Sequence, residues 1–478
     1  MRQRKNENRL LPLRLIGFLI WCAVTSSCAE PLTTEVLIAG GGTGGVAAGI
    51  QAARMGAATV IIEEHEWLGG MLTGAGVSAA DGNYRLRGGI WGEFINAISA
   101  NYGGDSLLRT GWVSNIMFEP SVGNRIFSEM AANEPYLTVF RNAAVTKVKR
   151  QRDGWTVTVR NGKNRFKYSS RILIDATELG DVAAMCGAEY DTGMESRHDT
   201  GEDIAPEKAN NIIQDLTYVA ILKDYGREMT VDRPEGYDSS LFACACVNPL
   251  CTGSGNSAPV WSVDQMLNYG KLPGNKFMIN WPISGNDYYA NLVEADSKTR
   301  EEALRKAKHK TLCFIYFINH QLGHNTLALA DDEFPTADRL PFIPYNRESR
   351  RIRGKVRFTL NHITDPYGQA DDLYRTAVAV GDYPVDHHHS AYSGDEKLPD
   401  LSFRPVPSFG VPLGTLIPEK TEGLIVAEKS ISVTNLVNGA TRLQPVVLQT
   451  GQAAGALAAL AVKNKTEVSM VSVREVQN

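Results

Sequence analysis

The chain lacks several signatures that would fix its chemistry at once. It has no Cys-x2-Cys-x2-Cys-x3-Cys run, so ligands for that type of iron–sulfur cluster are missing. It has no Cys-x-x-Cys-His, so there is no attachment site for a c-type haem. Cysteine is scarce, with seven in 478 residues. Three of these lie close together, as Cys244-x-Cys246-x4-Cys251. No fourth ligand stands at a standard spacing, so one disulfide among the three is a better reading than a metal site, and no metal is assigned. Positive charge is not in excess: the formal net charge is −4, and nothing points to a nucleic-acid partner. Long charge runs, internal repeats and low-complexity blocks are also missing. What remains, 43% apolar and 21% charged residues, is ordinary for a globular protein, and the length allows two domains or one domain with an insertion.

The first 30 residues read as a targeting segment. Arg2, Arg4, Lys5, Arg9 and Arg14 form a basic region, and Leu15 to Val24 form an apolar core too short to span a bilayer. Thr25-Ser26-Ser27-Cys28 resembles a bacterial lipobox with Cys28 as the lipidated residue, although Thr25 departs from the usual Leu. The expectation is a signal peptide over 1–27 and an exported lipoprotein of the periplasm or outer membrane, with a secreted soluble form as the alternative. Arg2-Gln3-Arg4 is not a twin-arginine pair, so the chain is expected to cross unfolded. Membrane contact would come only through the lipid on Cys28.

The most informative stretch follows. Val36-Leu37-Ile38-Ala39 reads as a buried strand, Gly40-Gly41-Gly42-Thr43-Gly44-Gly45 as a turn, and Val46 to Arg54 as a helix with small residues. Gly40, Gly42 and Gly45 fit G-x-G-x-x-G, the spacing of a dinucleotide-binding turn. Such a turn lets the backbone approach a pyrophosphate and places it at a helix N-terminus. A second strand, Ala58 to Ile62, ends in Glu63-Glu64, and Glu63 lies 18 residues after Gly45. An acid there suits a free ribose hydroxyl, which favours FAD or NAD over NADP. A structural turn beside a chance acid is the bland alternative.

Leu68-Gly69-Gly70-Met71 comes directly after the acid. With this stretch the chain resembles the two-dinucleotide-binding-domain flavoproteins, in particular the FAD-dependent oxidoreductase family, with heterodisulfide reductase A-like flavoproteins as relatives. The resemblance implies an α/β fold: a Rossmann-type FAD-binding domain with a parallel sheet and a β-meander, and an inserted mixed α/β substrate domain. The expected boundaries are 34–189 for the first part of the FAD-binding domain, 190–420 for the insertion, 421–464 for the last strand and helix, and 465–478 for a tail. It implies non-covalent FAD held by Gly40, Gly42, Thr43, Gly44, Gly45, Glu63, Glu64, Gly69, Gly70, Met71, Val145, Ala176, Thr177, Gly451 and Ala454. Asp175 to Asp181 resembles the family's D-A-T-G-x-G-D, but Glu178 stands where Gly is expected. Gly451-Gln452-Ala453-Ala454-Gly455 is expected in a helix whose N-terminus faces the flavin.

Three stretches of the insertion also match the family: Asn280-Trp281-Pro282 with Gly285-Asn286-Asp287, Arg347 to Gly354, and Tyr383 to His389. The arginine run could equally be a solvated face. Three imidazoles on one polar loop are candidates for acid/base work near neutral pH. In an extended loop His387 and His389 share one side, opposite Asp386 and His388. The acid/base argument cannot choose between His387 and His388; the resemblance favours His388, paired with Asp386. Arg350, Arg351 or Arg442 would hold an anionic group or the reduced flavin. The expected activity is hydride transfer from a small hydroxyl-bearing molecule to FAD outside the cytoplasm, with oxygen, a quinone or another exported carrier as acceptor. A flavin-dependent reductase of an activated C=C bond is one alternative. A non-catalytic lipoprotein that binds glycans or a partner is the other.

Overall fold

A computed structural model of the protein describes residues 31–252, 261–401 and 403–478. The expected signal peptide and Cys28 lie outside the described residues.

The fold is α/β, built on a seven-stranded sheet. Strand β1 (Leu32–Ala39) ends in four fully buried apolar residues, as a central parallel strand requires. Helix α1 (Thr43–Arg54) follows the glycine turn, and β2 (Thr59–Ile62) lies parallel to β1. Helices α2 (Gly89–Tyr102) and α3 (Pro120–Ala132) lead to β3 (Leu137–Phe140), parallel to β2. An antiparallel meander comes next: β4 (Ala143–Gln151), β5 (Gly154–Asn161) and β6 (Asn164–Asp175). Strand β6 joins the meander to the parallel part of the sheet. It pairs with β5 in antiparallel fashion, and it runs parallel to β1 and, near its C-terminal end, to the late strand Leu424–Val426. The indole of Trp155 donates to the Gly423 carbonyl at 2.9 Å, pinning the meander to that late strand.

The C-terminal helix, Gln444–Asn464, packs on α1 backbone to backbone. A Cβ on Gly451 would lie 2.3 Å from the Gly44 carbonyl oxygen, and one on Gly455 would lie 2.2 Å from that of Ala48. This corrects the expectation for Gly451 and Ala454. They sit in the middle of a helix that starts at Gln444, with Pro445 in its first turn, so they form no N-terminus facing a cofactor. Ala454 is fully buried in the core shared with β1 and β6.

The insertion contains a four-stranded antiparallel sheet with Ala220–Asp224 and Lys276–Ile279 at its centre. Helix Ser297–Tyr316 brings Phe314 and Cys313 into the apolar cluster beside that sheet. Its later part behaves differently: Ile352, Phe358, Val385, Phe409 and Leu416 are buried in the same cluster as the seven-stranded sheet. The chain leaves the first sheet, builds a second, and returns to the first core well before residue 420. Cys244 and Cys251 form a disulfide.

Close helix contact makes Gly455→Ala an overpacking substitution against backbone that cannot rotate away. It should destabilise the protein by about 1–3 kcal/mol, read as a lower urea midpoint at unchanged slope.

Candidate active site

The glycine turn is built from backbone that side chains would obstruct. Gly40 has φ +98°, and a Cβ there would meet the Ala176 carbonyl oxygen at 2.2 Å. Gly45 would collide with the Gly40 carbonyl in the same way, at 2.1 Å. The turn opens α1, whose first N–H groups have no partner within the helix. Beside it lies a cleft of about 770 Å³, lined by Gly40, Gly42, Glu63, Glu64, Gly70, Val145, Ala176 and Thr177 among others. Gly69 and Thr43 are tied to each other next to it, the Thr43 hydroxyl donating to the Gly69 carbonyl at 2.9 Å. Glu63 accepts from the N–H groups of Gly41 at 2.6 Å and His65 at 2.8 Å. Burial pushes its carboxyl up to about 7, against the pull of those two N–H groups.

Two carboxylates enter this turn from elsewhere in the chain. The Gly44 N–H donates to Glu428 Oε1 at 2.7 Å, and a Cβ on Gly42 would lie 2.6 Å from that same oxygen. Glu178 Oε1 would lie 3.0 Å from a Cβ on Gly70. Lys429, which is buried, donates to Glu178 Oε2 at 2.7 Å and lies 3.6 Å from Glu428. The backbone cradle and the acid after β2 therefore fit a dinucleotide, while the space over Gly42 is shared with the Glu428 carboxylate. The sequence gives no sign of what Glu428 and Lys429 do, since there they look like a charged pair after a strand.

A second cluster assembles the three stretches of the insertion. Arg347 Nη2 lies 3.1 Å from Asp287 Oδ1, and its Nη1 donates to the Thr217 hydroxyl at 3.0 Å. Asp287 Oδ2 lies 3.6 Å from His388 Nδ1, and Asp386 Oδ2 lies 3.0 Å from His388 Nε2. Burial opposes ionisation of both carboxyls, yet their partners win. Asp386 is held at about 2 by His388, Arg442 and Arg347. Asp287 is held well below the usual carboxylate range by Arg347 and His388. Arg442 donates to the Tyr345 hydroxyl oxygen and, at 3.1 Å, to the Asp386 carbonyl. The nearby Gln444 amide approaches the Met71 sulfur at 3.3 Å, which links this cluster to the loop that carries Gly70.

The rings of the other two imidazoles, His387 and His389, lie 5.6 Å apart, while His388 pairs with Asp386. Burial, helped by His389 and Arg442, keeps His387 far below its ordinary pKa, and burial with His388 nearby lowers His389 to about 4. Both rings are neutral at pH 7. His387 Nε2 is 3.3 Å from the Leu436 carbonyl. Among the described residues, buried atoms without a hydrogen-bond partner include Asn438 Nδ2, Arg442 Nε and Asp287 Oδ2 in this cluster, and equally Arg350 Nε and Arg351 Nε outside it.

The arginines divide. Arg442 belongs to the His388 network. Arg350 pairs with Asp181 at 2.6 Å and with Glu294 at 3.1 Å. Arg351 is fully buried between Glu195, at 3.0 Å, and Glu348. That corrects its candidacy as a substrate-holding group, because both ends of its guanidinium are committed to protein carboxylates. Glu348 also accepts from the Gln214 N–H at 3.1 Å, and Gln214 Oε1 accepts from the His388 N–H at 3.2 Å, so Arg351 supports the histidine loop from behind.

A family model described as FAD dependent oxidoreductase matches residues 35–478. Among solved structures, p-nitrophenol 4-monooxygenase PnpA from Pseudomonas putida DLL-E4 is similar at 13% identity over 41% of this chain and 49% of that one, with a TM-score of 0.28. A flavoprotein/dehydrogenase from Cytophaga hutchinsonii is similar at 17% identity over 41% of this chain and 47% of that one, with a TM-score of 0.29. In both, the match spans less than half of the solved chain's length. No curated protein matches.

Replacing Arg351 by Met leaves Glu348 buried without its cation, while Glu195 keeps only Arg357 at 3.4 Å. The expected loss is about 3–5 kcal/mol in chemical denaturation, the size of a broken buried pair, whether or not substrate is present.

Proposed function

The chain belongs to the FAD-dependent oxidoreductase family, and on that premise we propose that it oxidises a small hydroxyl-bearing organic molecule, with His388 taking the hydroxyl proton. The observation that carries this reading is the Asp386–His388–Asp287 alignment. Asp386 fixes His388 through Nε2 at 3.0 Å and Nδ1 faces Asp287 Oδ2 at 3.6 Å, so a substrate hydroxyl would reach Nδ1 by entering between that nitrogen and Asp287. FAD, when bound, supplies the two-electron acceptor for the hydride leaving the carbinol carbon. The proton from the hydroxyl goes to His388 Nδ1, and the product is the carbonyl compound. Gly40 to Gly45, Glu63 and Thr177 would hold the dinucleotide. Arg442, anchored by Tyr345 and Asp386, would orient a polar or anionic substrate group. Reoxidation would use oxygen, a quinone or an exported carrier.

Export and lipidation at Cys28 form part of the same proposal. Support comes from the basic and apolar leader and from the Cys244–Cys251 disulfide, which suits an oxidising compartment. A Cys28→Ala variant should move from the membrane fraction to the soluble exported fraction. Retention of the variant on membranes would rule out the lipid anchor.

The chemistry is tested by single-turnover flavin reduction with a panel of alcohols, sugars and hydroxy acids. His388→Ala should slow reduction on the order of 10²- to 10⁴-fold, the usual size of a lost acid/base contribution. Its FAD affinity should match the parent's, because the ring lies outside the glycine cradle. Reduction at the parent rate in His388, His387 and His389 variants alike would remove this mechanism and favour the C=C reductase reading, with an arginine as proton donor.

A further inference from the structure

The glycine cradle does not stand open. Its N–H groups, and the positive end of α1, attract a negative charge. Here a carboxylate of the chain itself meets them. Glu428 Oε1 accepts from the Gly44 N–H at 2.7 Å and lies over Gly42, where a side chain would find only 2.6 Å of room. Glu178 comes from the opposite wall, against Gly70. Lys429 ties the pair together, at 2.7 Å from Glu178 and 3.6 Å from Glu428. A pyrophosphate needs these same groups: the turn N–H donors, the clearance over Gly42 and a nearby cation.

We propose that Glu428 is an internal competitor for the cofactor: its carboxylate, backed by Glu178, occupies the pyrophosphate seat on Gly44 and Lys429, and FAD binds only by displacing it. This rests on the reading of the chain as an FAD enzyme. Loading is an exchange of anions. The pyrophosphate takes the Gly44 N–H, Lys429 turns from carboxylate to phosphate, and Glu428 swings out of the cradle. Affinity is therefore weaker than the preformed turn alone would give.

Proton binding favours the exchange. Burial raises the Glu428 pKa, with Lys429 pulling against it and Glu178 adding to it. From the other elements around the cradle, Glu63, Glu64 and His65 follow β2, and Glu178 acts on both Glu63 and His65. Tyr345 faces Lys429 from the insertion, and the first turn of α1 carries no acidic side chain. Acids whose folded pKa is raised take up protons as pH falls through the neutral range. Each proton removes one negative charge that would repel a pyrophosphate, so FAD should bind more tightly at low pH.

The test is a titration of flavin-stripped mature protein with FAD, followed by quenching of flavin fluorescence at about pH 6 and about pH 8, on either side of neutrality. The parent should bind more tightly at the lower pH. Glu428→Gln keeps the side-chain volume and removes the charge. It should bind FAD about 10- to 100-fold more tightly than the parent at the higher pH, the size of one released charge-assisted hydrogen bond, and most of the pH dependence should vanish. Glu178→Gln should shift affinity in the same direction by less. Circular dichroism confirms that each variant folds; if Glu178→Gln does not, Glu428→Gln alone carries the comparison. Equal affinity of parent and Glu428→Gln, or a parent that binds equally at both pH values, overturns the proposal. Absence of FAD binding in every variant overturns it too, since an emptied cradle should accept the dinucleotide. Failure of the hydroxyl-oxidation reading looks different: FAD would bind as predicted, and no hydroxyl substrate would reduce it.

Discussion

Close approach of α1 to its neighbours is the constraint on which the rest of the structure depends. The helix presents almost no side chain where it meets the sheet and the C-terminal helix. A Cβ on Gly44 would overlap the Ala427 carbonyl oxygen at 1.6 Å, and Gly451 and Gly455 press on the carbonyls of Gly44 and Ala48. Contacts of this kind have no slack, because backbone cannot change rotamer to make room. They fix the N-terminus of α1 against the ends of β6 and of Leu424–Val426, and thereby set which residues can reach the turn. Ala176 to Glu178 arrive from one strand, and Glu428 with Lys429 from the other.

Around this frame the protein distributes buried charge in two patterns. Arg351 with Glu195 and Glu348 is closed: its charges face one another, and its role is to hold the loop that carries His388. The cluster of Asp287, Asp386, His388, Arg347 and Arg442 instead gathers two carboxylates and two guanidiniums around one imidazole.

Much of the frame is legible in the sequence because it rests on short-range pattern. The Val36–Ala39 run and the spacing of Gly40, Gly42 and Gly45 each state a local geometry. Alternation in an extended loop is enough to bring His387 near His389 and Asp386 near His388. What cannot be read are pairings across long separations. Glu348 and Glu195 claim Arg351 from 3 and 156 residues away, and no local signal marks Glu195. The small residues of Gly451 to Gly455 are legible as part of a helix, but that they mark the point where two backbones touch depends on Gly44 and Ala48, near the start of the chain.

The cradle at the beginning of the chain is completed from its end: Gly44 and Glu428 are 384 residues apart. A chain emerging N-terminus first holds the glycine turn long before it holds the strand and helix that brace it. Until Leu424–Val426 joins β6 and the last helix covers α1, the small-residue face of α1 has nothing to pack against. Non-local closure of this sort makes folding slow. The nucleotide seat does not exist until both ends of the chain have come together, and it forms with a carboxylate already in place on the Gly44 N–H.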